Sequence, residues 1–129
     1  MKTYKLIIEK GEGGFWGRIE DKDGLITSFG ETIDHLRISM NEAIELYFQE
    51  LDKPIPKIEF ELVMDIQEFF IINDFINIST LAKRIGMNSS LLRQYAKGIK
   101  FPSLKQVNKI ENAIREIGKQ LSKTELQPS

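Results

Sequence analysis

Up to Val63, apolar and polar residues alternate at every second position in several short stretches, whereas from Asp65 onward the texture is helical, with apolar residues recurring mainly at steps of three and four. A period of two sends successive side chains to opposite faces of a strand, and a period near 3.6 gathers them on one side of a helix. The chain is therefore expected to build its only sheet from the first half and to be helical throughout the second. Tyr4, Leu6 and Ile8 alternate with Lys5 and Glu9, and Gly11-Glu12-Gly13-Gly14 turns the chain into a second alternating segment, Phe15 to Glu20. Asp23-Gly24 marks another hairpin turn, after which Leu25 to Phe29 completes a three-stranded antiparallel meander. Such a meander needs a cover for its apolar face. Thr32 can cap a covering helix with Ile33, Leu36, Met40, Ile44, Tyr47 and Leu51 on one stripe and Asp34, Arg37, Asn41, Glu42 and Glu45 on the other side. Lys57 to Val63 alternates again, with Ile58, Phe60 and Leu62 on one side, and reads as a fourth strand at a sheet edge. The expected fold class is α+β: a small βββαβ domain over residues 1–63, an all-α helix-turn-helix domain over 64–121, and a flexible tail over 122–129.

The segment from Ile78 to Tyr95 meets the demands of two helices crossing through a tight turn. Leu81 and Ile85 face inward from the first helix, Ala82 is the small residue at the crossing, and Gly86 makes the turn. Met87 plugs the corner, while Leu92 and Tyr95 anchor the second helix. Outward on that helix are Asn88, Ser89 and Ser90 at its start, then Arg93, Gln94 and Lys97. Arg can pair with guanine and Gln with adenine in the major groove, and serine hydroxyls beside free backbone amides suit phosphates. Lys83 and Lys100 flank the helix and complete the candidate DNA-binding set. A last helix starts at a capping box, Ser103 with Gln106, and carries Leu104, Val107, Ile110, Ile114, Ile117 and Leu121; Lys119 to Ser129 has little to bury and is expected to fray.

Charge points the same way. Residues 1–63 hold eight Lys or Arg against thirteen Asp or Glu, a balance of −5; residues 64–129 hold ten against six, or +4. Between Phe75 and Ile110 there are seven basic residues and no acidic one, a stretch that a polyanion would attract. No cysteine occurs, which excludes a disulfide framework and thiolate chemistry, and His35 is the only imidazole, which excludes most zinc sites. His35 reads as a surface residue and the Gly11 to Gly14 cluster as a hairpin turn, since no Gly-Lys-Ser/Thr follows it. Glu20, Asp21 and Asp23 stand together in one turn, whereas two-metal sites gather acids from separate strands. No catalytic residue, metal or cofactor is expected, and the chain is not expected to be an enzyme. Without a signal-peptide core or a long apolar run, it is expected to be a cytoplasmic protein.

Ile78 to Ser103, ISTLAKRIGMNSSLLRQYAKGIKFPS, resembles the Xre or phage-repressor class of helix-turn-helix, including its Gly98-x-x-x-Pro102-Ser103 loop. Gly13 to Glu50 resembles the HicB antitoxin family in its Gly-aromatic hairpin, its Gly30-Glu31-Thr32 helix entry and its Asn41-Glu42-Ala43-Ile44 stretch ending in Tyr47-Phe48. The sequence departs from that family where Pro-Asp-Leu-Pro-Gly is usual and here reads Glu20-Asp21-Lys22-Asp23-Gly24. The resemblance implies a partial ribonuclease-H-like fold, neutralisation of a small ribonuclease toxin called HicA, and repression of the operon encoding both. On that reading the partners are the toxin, operator DNA and a second copy of the chain. If Phe15 faces the covering helix, Trp16 faces away, so Trp16, Arg18 and Glu20 form the candidate partner-binding set. The rival readings are a stand-alone regulator with a dimerising or ligand-sensing first domain, and a nuclease using the acidic turn.

Overall fold

A computed structural model, describing residues 1–129, contains one four-stranded mixed sheet and five helices, an α+β chain. It divides into two units, Met1–Met64 and Asp65–Ser129. The first contains β1 (Lys2–Gly11), β2 (Gly14–Asp21), β3 (Gly24–Gly30), α1 (Ile33–Glu50) and β4 (Ile58–Val63). Across the sheet the order is β3-β2-β1-β4: β2 lies antiparallel to both β1 and β3, and β4 lies parallel to β1 with Leu62 beside Leu6. Only one face of this sheet is covered. Tyr4, Leu6, Ile8, Ile19 and Ile26 meet Leu36, Met40, Ile44 and Phe48 of α1 in a single buried cluster.

Two details differ from what spacing suggested. The second hairpin turn is made by Lys22 and Asp23, with Gly24 already paired to Asp21. Neither Asp23 nor Gly24 has a positive φ, so the left-handed Asp-Gly turn is not the one used. The inward stripe of α1 is completed by Phe48, with Tyr47 packed against the same cluster from the flank, and does not extend to Leu51. Leu51 is the exposed C-terminal cap, and Tyr47 lies half-buried at the flank, where its hydroxyl donates to Asp21 Oδ2 at 3.1 Å. At the entry to α1, a Cβ on Gly30 would stand 2.3 Å from the Leu36 backbone nitrogen; this close approach is open only to glycine.

The second unit contains α2 (Ile66–Ile72), α3 (Ile78–Ile85), α4 (Ser89–Ala96) and α5 (Leu104–Ser122). Asp65, Asn77, Asn88 and Ser103 each cap one of these helices by accepting from the backbone N–H three residues on, which satisfies an otherwise orphaned donor. Phe70, Leu81, Ala82, Ile85, Leu92, Tyr95, Ala96 and Ile110 form the core. Of the six apolar positions expected to line α5 only Ile110 is fully buried, and Leu104 and Leu121 are exposed. α5 also runs past Lys119 to Ser122, and the Ser122 and Thr124 hydroxyls donate to the carbonyls of Lys119 and Gln120 at 2.9 and 2.8 Å where it ends. No helix is long and apolar enough to cross a membrane.

Candidate nucleic-acid interface

The α3–α4 pair is set by its turn. Gly86 adopts a left-handed conformation with φ 74° and ψ 34°, ending α3. The Met87 N–H then reaches back to the Ala82 carbonyl at 2.9 Å and the Gly86 N–H to that of Lys83 at 3.2 Å, the paired reverse bonds of a glycine-stopped helix. Ala82 is fully buried, and any larger side chain there would enter a filled core. Leu92, Tyr95 and Ala96 hold the inner side of α4. Past α4, Gly98 is again left-handed and sits against Gln67 of α2, whose side-chain amide donates to the Lys97 carbonyl at 3.4 Å.

What α4 leaves outward is one stripe. Ser90, Arg93, Gln94 and Lys97 follow one another at i, i+3, i+4 and i+7 and so share a face; Gln94 is half-buried and the other three are exposed. Asn88 accepts the Leu91 N–H with its side-chain oxygen, which holds the side chain at the helix start and leaves its amide NH2 free to donate to a ligand. Ser89 is half-buried beside it. Arg93 Nη2 donates to the Ser79 hydroxyl of α3, which orients the guanidinium across the helix pair. Lys83 and its neighbour Arg84 are exposed on α3, and Lys100 is exposed in the α4–α5 connection. Arg84 is one of the seven basic residues of the acid-free run but stands outside the candidate set, and Ser79 and Gln67 carry no signal in the sequence, since they become neighbours of Arg93 and Lys97 only through packing.

In the first unit, Trp16, Arg18 and Glu20 do share the uncovered face of the sheet. Trp16 is 54 % exposed and rests on Phe29 of β3, with ring centroids 5.0 Å apart. Arg18 pairs with Glu9 of β1, and Glu20 is exposed. A shallow depression of about 230 Å³ lies among Ile7, Glu9, Trp16, Gly17, Arg18 and Thr27. The three carboxylates of the β2–β3 turn are not gathered. Asp23 pairs with Lys53 at 2.8 Å, and Glu20 lies on the open face. Asp21, its side chain only 4 % exposed, accepts from the Tyr4 hydroxyl at 3.0 Å, from Lys2 Nζ at 3.3 Å and from Tyr47. Burial pushes its carboxyl up, but hydrogen bonds from Tyr4, Lys2 and Tyr47 and the Lys2 charge outweigh that and hold it below the usual aspartate value.

No protein-family model matches the chain, and no curated protein or solved structure aligns with it closely enough to count as a match.

Proposed function

We propose that this protein is an antitoxin and autorepressor of the HicB kind, a cytoplasmic two-module protein with a helix-turn-helix as its second module. The reading rests above all on the outward stripe of α4, with Ser90, Arg93, Gln94 and Lys97 standing within a run of seven basic and no acidic residues. A helix fits the major groove, where Arg and Gln can each make paired hydrogen bonds to a base edge, while Lys83, Lys100 and the α4 amide end meet phosphates. One such helix reads only a few base pairs, so the protein acts on DNA as a homodimer or higher oligomer with two half-sites.

The first module, a βββαβ domain with a balance of −5, binds a small cationic RNA-cleaving protein like HicA. Trp16 anchors the contact, rimmed by Arg18 and Glu20, and the toxin is silenced by covering its RNA-binding surface. No residue of this chain acts catalytically and no cofactor is required. Co-expression with the product of the adjacent reading frame tests the whole reading: the two proteins copurify, RNA cleavage by the partner stops, and the complex retains DNA from upstream of the gene. DNA binding without a copurifying partner would instead make the protein a stand-alone regulator, and loss of both would remove the proposal.

A further inference from the structure

The sheet of the first unit ends in two free edges of different chemistry. On β4, Glu59 and Glu61 stand on the open face, and charges on an edge strand discourage another strand from pairing with it. The β3 edge has no such guard: Gly24-Leu25-Ile26-Thr27-Ser28-Phe29-Gly30 contains no charge and no proline. Asp21 and Gly24 close the two-residue turn, so antiparallel alternation turns the backbone groups of Gly24, Ile26, Ser28 and Gly30 toward β2. Those of Leu25, Thr27 and Phe29 point away from the sheet, and no turn or loop backbone hydrogen bond involves them.

We infer that the β3 edge docks a second copy of this chain, the two strands pairing antiparallel about a two-fold axis at Thr27. The uncharged run is symmetric about Thr27, so a two-fold copy uses both halves of the edge equally. In this register Thr27 faces the partner's Thr27, and each Leu25 faces the partner's Phe29. Two apolar cross-strand pairs then extend the patch that Trp16 and Phe29 already form. Leu25, 59 % exposed in one copy, is covered by the pairing. Sliding the register by two residues would bring Asp23 opposite the partner's Phe29 in one direction, or Glu31 opposite the partner's Leu25 in the other, which sets a charge against an apolar side chain and favours the Thr27 alignment. This interface stands whether or not the second unit holds DNA.

The chain has no cysteine, so one introduced thiol reports the pairing. Opposed Cα atoms in an antiparallel hydrogen-bonded pair lie ~5.5 Å apart, within the ~4.4–6.8 Å that a disulfide spans. Thiols at Leu25 would be four residues out of step, ~13 Å at ~3.3 Å per residue. Under mild oxidation the full-length Thr27→Cys protein becomes mainly a crosslinked dimer, while Leu25→Cys and Glu59→Cys remain single chains. Thr27→Lys, which leaves the β2 ladder intact, halves the particle mass measured by sedimentation without lowering the thermal midpoint. Equal crosslinking of all three cysteine variants overturns the inference, as does a Thr27→Lys protein of unchanged mass. If Thr27→Lys keeps its mass but no longer copurifies with a different protein, the edge belongs to a foreign strand and the inference fails.

Discussion

Asp21 has exchanged water for two phenol hydroxyls and an ammonium group, and the net effect holds its carboxyl below the usual value. An unfolded aspartate titrates near ~3.9, so the native state binds this proton less readily than the unfolded one. The stability it contributes is present above that pH and is lost as pH falls through the lower native value. Its neighbours shift the other way: contacts with Tyr4 and Asp21 raise Lys2, and burial followed by the Asp21 hydrogen bond raises Tyr47. Their contributions are present below their unfolded values near ~10 and fade as pH climbs through the higher native ones. Melting Asp21→Asn between acid and neutral pH should therefore show a flatter acid limb than the native chain; an identical limb would mean that Asp21 is not the responsible group. The glycines make a second residue-scale test. Gly86→Ala meets nothing within 4 Å and should cost only the left-handed strain, about 1 kcal/mol. Gly30→Ala drives a methyl into the backbone of α1 and should cost about 3 kcal/mol or more by chemical denaturation. Equal losses would contradict the close approach.

At the scale of elements, the strands and the starts of α1 and α5 were legible because they depend on local chemistry. Alternation at Tyr4 to Ile8 and the caps Thr32 and Ser103 need no knowledge of the remainder of the chain. The choice between Tyr47 and Phe48 was not legible, since steps of three and four are both helical and only the position of Asp21 draws Tyr47 aside. The depth of α5 was hidden for a similar reason: periodicity says which residues share a face, not whether another element covers it. The stripe on α4 could be read in advance, although the capping role of Asn88 and the bond from Arg93 to Ser79 could not. The open face of β2 was legible through Trp16 alone. Trp16→Ala should weaken partner binding by about 2 kcal/mol or more, while the thermal midpoint changes little. Large destabilisation with intact binding would make the ring a structural prop for Phe29 instead.

At the scale of the molecule, the charge sum of −1 describes neither half. At physiological salt, charges farther apart than ~8 Å are largely screened, so the local field around α4 governs an approaching polyanion. If function divides as charge does, residues 1–64 should still protect cells from the toxin and should not bind DNA, because every candidate base-reading residue lies beyond them. A folded 1–64 fragment that fails to protect would assign part of the partner contact to the second unit. The central claim, that α4 reads base sequence while the lysines around it hold phosphates, is tested by measuring affinity for upstream and random DNA at several salt concentrations. Arg93→Ala should lose ~1–3 kcal/mol of discrimination between the two DNAs. Lys83→Ala and Lys100→Ala should weaken both DNAs alike and lower the salt slope by about one unit each. If Arg93→Ala lowers both affinities by the same factor, α4 is not the base-reading element and the account is contradicted.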